Sequence, residues 1–546
     1  MKKTRIFATL LCIVMLIGVA SACNNDTSTS PSASSPSESS AAPSQSSAPP
    51  SETPGATVTH DTLNIVATSD DGTLRHEDMQ GDMFSGIQLV NEPLWGQIKL
   101  IAPDVEFILA ESFEQPALTE MIIHLKQGIK FSNGNPFTAS DVLFSIRTQK
   151  ASLVSGSSRG QLMNPDKSSI IDDYTLNLVW DDYHIGQTGI IASVMMVDEE
   201  SYDPEVASTK PIGTGPYVVS EYVLNSHLFL EKRDDYWRDE APEFKYINFR
   251  VLAEPAQQIN ALETGLVDLA FRIPNEDAEH VKSLPNMNVL SYYDTQYVQV
   301  RFNMAPASQL NSLEARLAIC HAIDKQAIVD VVYIGMAQVL HRMAPLTIAD
   351  DQPGLDDLSE IYSIGYDVEL AKKYAEEAGI VGKTIKLMNN GTAEVTLLSE
   401  MVQDMMKEIG VNAQIVSYDS ATTWSRGFDD VNAEFWEMAV GIGINPGYSS
   451  AGGLVMGFLV SPIMNTPGHW PAVEEYASAA VGFFGTVDPQ ERLAKVKTMM
   501  RLSAEYALGL AVCDIQRSTA LADWIDPDSF ILGQNGEVCL RHMKSR

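Results

Sequence analysis

Lys126-Gln-Gly-Ile-Lys-Phe-Ser-Asn-Gly-Asn-Pro-Phe-Thr-Ala-Ser-Asp-Val-Leu-Phe-Ser145 reads as turn, short extended run and helix start. Gly128 and Gly134 interrupt an alternation of apolar and polar residues that begins at Glu120, and the whole of Glu120 to Gly134 has the look of a hairpin. Asn135-Pro136 closes it. Thr138 then stands as an N-cap with Asp141 three residues on, the pairing that satisfies the free amides of a helix's first turn. Working outward, Ile171 to Trp180 reads as a turn and a strand, and Asp61 to Ala67 as a first strand followed by a loop at Thr68 to Gly72. Strands and helices mix to the end of the chain with no internal repeat, so the class is α/β.

The N-terminus is of another kind. Lys2, Lys3 and Arg5 precede an apolar run from Ile6 to Val19, then Ala20-Ser21-Ala22-Cys23. That order of basic, apolar and small residues predicts a secretory signal over residues 1–22, and the run is too short to span a bilayer as a stable helix. The last four residues resemble the lipobox of bacterial lipoproteins, with Ala20 where Leu is usual, so Cys23 is the expected lipidation site. Residues 23–58 combine that cysteine with a Ser-, Pro- and Ala-rich stretch that cannot bury enough apolar surface to order itself. Such a stretch suits a spacer between a membrane tether and a folded body.

The body, from about Thr59, is long enough for two or three domains. Without the signal the chain carries 34 basic against 71 acidic residues, a net charge of −37. No nucleic-acid partner is expected, because such binding is built on basic patches. The body's cysteines are Cys320, Cys513 and Cys539. Cys320 reads as a small buried hydrophobe; a Cys513–Cys539 bridge is compatible with an oxidising compartment.

The opening stretch resembles the signature of extracytoplasmic solute-binding proteins of the oligopeptide, dipeptide and nickel type, family 5. Further blocks follow in that family's order. They are Pro211-Ile-Gly-Thr-Gly-Pro-Tyr217, Tyr236-Trp237, a helix from Gln257 to Gly265 ending in Gly-Leu-Val-Asp268, Phe302-Asn303, Glu314 to Lys325 with Gly335, and Asp488-Pro-Gln-Glu-Arg492. The resemblance implies a two-lobed periplasmic-binding-protein type II-like fold with an extra subdomain in the first lobe. It places the first lobe at 59–300, its inserted subdomain at about 100–205, the second lobe at 301–513, and a tail at 514–546 returning to the first lobe. Hinge segments would lie near Gln299–Asn303 and Val512–Arg517. The implied partners are a small-molecule ligand (a peptide first, a non-peptide solute or metal chelate second), ABC permease subunits and, through the lipid, the membrane.

Physically, these blocks read mostly as scaffold. The glycines of Pro211 to Tyr217 permit positive φ in a rigid turn before a strand from Tyr217 to Tyr222. Leu313, Leu317, Cys320 and Ile323 mark the packed face of a helix, with His321 a satisfied core residue. No enzyme is expected: Gly382-Lys-Thr384 lacks the first glycine of a phosphate loop and reads as a helix stop and strand start, and no hydrolase or metal-ligand motif is present. Cofactors and metal ligands are expected to be none. A cryptic hydrolase and a surface adhesin or sensor are the alternatives.

Ligand-binding candidates, by position, are Asp70, Glu92, Trp95, Tyr297, Asn303, Trp424, Trp436, Asn445 and Tyr448. Aromatic rings with polar tips suit such pockets, although Trp95 and Trp436 fit a core position equally well. Peptide-binding members of the family carry an Asp in the loop after the strand taken here to end at Val440, where it pairs with the peptide ammonium. Asn445-Pro446-Gly447 stands there instead. Either another acid serves, or the ligand lacks a free amine.

Overall fold

The computed structural model describes residues 60–546 apart from 80–81, 97–104, 153–161, 240–241, 342–362, 419–421, 424–425, 427–433, 435, 445–472 and 533–537. The expected signal, Cys23 and the spacer lie outside the described residues, as do Trp424, Asn445 and Tyr448. Among the described residues no helix is long and apolar enough to cross a membrane.

One mixed sheet runs through the body. The strand Thr62–Ala67 pairs in parallel with Tyr246–Val251, which continues antiparallel to His227–Lys232 and Tyr217–Val223. Leu63, Ile65 and Ala67 enter one core, while Val66 points to another on the opposite face. The period of two in the sequence is thus that of a sheet covered on both sides. Beyond Leu269–Ile273 come two long strands, Met287–Phe302 and Gly509–Ala522, antiparallel to each other. They carry the sheet into a second set of parallel strands, Thr384–Asn389 beside Asn412–Ser417 and Met438–Ile444. A separate core gathers there, from Tyr297 to Ile515.

A third core, Leu94 to Met196, belongs to a four-stranded antiparallel sheet of Ala110–Ala117, Glu120–Leu125, Thr175–Val179 and Ser169–Asp172. The stretch from Lys126 sits against it. The helix forms as expected, over Ala139–Ala151, with the Thr138 amide donating to Asp141 Oδ2 at 2.8 Å.

Local readings need correction. The strand Glu120–Leu125 pairs backward with Ala110–Ala117, and the turn after it is a smaller one closed by Phe137 N donating to Ile129 O at 3.0 Å. The glycines of Pro211 to Tyr217 are needed for close approach and not for positive φ. A Cβ on Gly213 would lie 1.9 Å from Val90 O, and one on Gly215 2.2 Å from Leu89 O. The helix Leu313–Ala322 buries Ala315, Arg316, Ala318, Ile319, Cys320 and Ala322, leaving Leu313 and Leu317 only partly covered. Arg316 can lie inside because its guanidinium donates to five backbone carbonyls, Leu310, Asn311, Ser312, Tyr506 and Ala507. His321 is satisfied by Gly365 O at 2.7 Å but lies at the edge of the core, stacked on Tyr374. The strand expected to end at Val440 runs on to Ile444. No disulfide joins Cys513 and Cys539.

Candidate functional site

In open α/β sheets ligands bind outside the carboxyl ends of the parallel strands, where the order of connections reverses. Here those ends converge. In the second lobe the parallel strands finish at Asn389, Ser417 and Ile444. Gln296 of the first crossing strand stands opposite Ile444. In the first lobe the strand ending at Ile273 stands opposite Ser518 of the second crossing strand. Both lobes therefore present their carboxyl edges to the segment around Tyr292–Gln296 and Gln516–Ser518.

The register slips here twice, in opposite senses. Between Tyr293 and Tyr297 the first strand carries two extra residues, and between Tyr297 and Gln299 the second strand carries one. Bulges of this kind bend and twist a ladder. On the first-lobe side, Arg272 sits at φ 51° where its own strand is irregular, a left-handed conformation rare outside glycine.

Polar side chains gather at this junction. Arg517 donates from Nε and Nη2 to Gln296 Oε1 at 2.9 and 2.6 Å, and its Nη1 lies 3.4 Å from Glu394 Oε1. Glu394 is in the first turn of the helix Ala393–Glu408, whose N-terminal dipole favours a carboxylate. Its side chain is 32% exposed. Burial, and the charge of Glu394 beside it, push the Tyr333 phenol well above the usual range. Tyr293, on the bulge side of the strand, is 36% exposed. Asp514 and Arg517 are the charged residues of the otherwise neutral strand Gly509–Ala522; that isolation is the sequence signal that could have singled out Arg517.

The sequence candidates are distributed differently. Asp70 sits at the carboxyl end of the first strand, accepting from Gly72 N, Tyr222 Oη and Asn225 N at 2.7–2.8 Å. It ties the first loop to a neighbouring turn. Glu92 is fully buried and accepts from Tyr236 Oη, Trp237 Nε1, Thr214 Oγ1 and Arg541 Nη2. Trp95 lies in the third core, its indole N–H on Thr188 O. Tyr297 is buried in the second-lobe core over Gly443, where a Cβ would meet its ring at 2.8 Å. Asn303 donates to Trp436 O and accepts from Ala305 N, while Trp436 is wholly buried with its indole N–H on Arg426 O. The interior thus holds Glu92, Trp95, Tyr297, Asn303 and Trp436, with their described polar contacts inside the protein. Asp70 stays at a strand edge. Among the described residues no group of three or more acidic, histidine or cysteine side chains is placed to hold a metal ion.

A model of the bacterial extracellular solute-binding proteins, family 5 (middle region), matches residues 104–463. The chain belongs to that family. Among curated relatives of this family-5 chain, the di/tripeptide-binding protein 3 of Pseudomonas aeruginosa is 24% identical over 331 residues, covering 54% of this chain and 60% of that protein. The nickel-binding periplasmic protein of Escherichia coli is 27% identical over 236 residues, 40% of this chain and 43% of that one. The chain thus spans about 60% or less of the length of these relatives. Among solved structures, the ABC transporter substrate-binding protein CtaP of Listeria monocytogenes superposes with a TM-score of 0.74 at 20% identity, over 89% of this chain and 99% of that one. NikA of Brucella suis, in complex with Fe(III)-EDTA, gives 0.75 at 20% identity, over 89% and 100%. At such identities the likeness establishes a shared two-lobed fold.

Proposed function

We propose that this family-5 chain is an extracytoplasmic receptor of an ABC importer, tethered through a lipid on Cys23, that captures a small polar solute between its lobes. A peptide is the first candidate. Curated relatives are named for di- and tripeptides and for glutathione, and one for nickel. The observation that carries the reading is the junction itself. Separately packed lobes meet through two strands whose opposed register slips flank Tyr297, which is where closure would bend the molecule.

In this reading the ligand lies against Arg517, Gln296, Glu394 and Tyr293; Asp70, Trp424, Asn445 and Tyr448 remain further candidates from the sequence. Arg517 is a cation already held in a fork geometry suited to a carboxylate. Glu394 is the acid nearest to it and a natural partner for an ammonium. Mass spectrometry of the ligand released from purified protein by denaturation tests the reading: a peptide or comparable polar solute at near one per chain supports it. A preparation that carries nothing, and binds none of a panel of di- and tripeptides in calorimetry, overturns the peptide assignment. For the tether, Cys23→Ala is expected to release the protein from membranes into the medium.

A further inference from the structure

The inserted subdomain touches the second lobe directly, away from the crossing strands. The loop after Trp180 reaches the end of the helix Val473–Phe484. There the Ile185 amide donates to Phe484 O at 2.9 Å. The His184 ring stacks on the Phe484 ring, 4.7 Å between centroids and 13° from parallel. Ile185 itself packs against the second-lobe core.

Both sides of this contact are rigidly backed. Behind the loop, Gln187 is 4% exposed and is held by Leu118 O and by the Gln115 amide, at 3.0 and 2.9 Å. The next residue, Thr188, accepts from the buried Trp95 indole. Across the contact, Phe483 is fully buried and meets Phe484 edge-on at 5.1 Å. Arg501 of the helix Pro489–Glu505 pairs with Glu475 of the neighbouring helix at 2.6 Å.

From this geometry we infer that His184 and Ile185 form a clasp on Phe484, which holds the two lobes in the closed arrangement and must break before they separate. The inference rests on the closing-receptor reading, and it gives the inserted subdomain a part in ligand release. Rotation about the bulges near Tyr297 would move the lobes as bodies, so a contact that joins them outside the crossing strands breaks as they part. A stacked ring pair and a shielded backbone hydrogen bond together bias a two-state equilibrium by roughly tenfold.

The test needs no ligand, which keeps it separate from the receptor reading. Hydrogen exchange at the Ile185 amide and small-angle scattering are measured on the full mature chain and on two variants. His184→Ala removes the ring without entering a core, and Phe484→Leu keeps apolar packing while losing the stack. In the wild-type chain the Ile185 amide is expected to be protected. In both variants it exchanges about tenfold faster and the radius of gyration increases, while the Leu125 amide, inside the inserted sheet, is unchanged. An unprotected Ile185 in the wild-type chain overturns the inference. So does faster exchange with an unchanged radius, which would make the contact local to the loop. A normal clasp in a protein that binds no solute would leave the clasp standing and sink the receptor reading.

Discussion

Glu92 is a buried charge met by four donors inside the protein. Its two oxygens receive four donors from widely separated stretches, including the Tyr236 hydroxyl at 2.7 Å and Arg541 at 3.2 Å. Burial and the Glu92 charge push the Tyr236 phenol far above its ordinary range. Removing the carboxylate strands these donors, and breaking a buried pair from one side costs about 3 kcal/mol. Glu92→Gln is therefore expected to lower the urea midpoint by that order while leaving solute affinity unchanged in calorimetry. His184 offers a second residue-scale expectation. Burial against Phe484 lowers its imidazole from 6.5 to about 4. The Gly186 amide donates to its Nδ1 at 3.0 Å, and neither neighbour is charged. Between these values the opened form binds a proton that the clasped form refuses. The clasp's contribution is thus present above pH 6.5 and declines as pH falls towards 4. Scattering across that range should show a growing radius of gyration, and His184→Phe, which stacks without titrating, should abolish the trend.

At the scale of elements, local signals carried far. Asp488 before Pro489 is a local helix-start pattern, and the helix Pro489–Glu505 begins there with Asp488 accepting from the amides of Gln490 and Glu491. Asp488→Ala should cost about 1 kcal/mol, seen as a lower denaturation midpoint with an unchanged m-value. Thr138 with Asp141, and the strand start after Gly382 at Thr384, were legible for the same reason, whereas the helix before it stops earlier, at Ala378 and the positive-φ Gly379: caps and positive-φ glycines act within a few residues. What was not legible depends on distant chain. Nothing near Gly213 reveals that Val90 O will lie against it, and nothing near Glu120 decides that its hairpin partner precedes it and its other partner, Thr175–Val179, comes much later. The surroundings of the candidate residues were not legible for this reason. Tyr297, Asn303 and Trp436 carry polar atoms on large side chains, the look of a pocket, yet the fold brings Gly443, Ala305 and Arg426 to meet them. Arg517 gains its meaning only when Gln296 and Glu394, both more than a hundred residues away, arrive beside it.

For the whole molecule, the question is whether two lobes joined by a sheet can move at all. A continuous ladder resists bending, but the two crossing strands are broken in register on either side of Tyr297, so the stiffest element is softened where the lobes meet. The acidic surface adds a second consideration. A net charge of −34 over the whole chain makes the lobes repel one another, so in low salt closure needs a counteracting attraction. In the proposed reading a bound solute adds to the His184–Phe484 contact in supplying it, and its binding free energy divides between contact and closure. The unfolding free energy should then rise with added solute as RT ln(1 + [L]/Kd), about 2.7 kcal/mol at a hundredfold excess over Kd. The radius of gyration should fall in the same titration. Because charge repulsion is screened at about 0.15 M salt over roughly 8 Å, the ligand-free protein should also compact when salt is raised, and the ligand-induced change should shrink accordingly. A midpoint that rises with solute at a constant radius in both salts would mean that the solute binds to one lobe alone, and the closing mechanism would have to be given up.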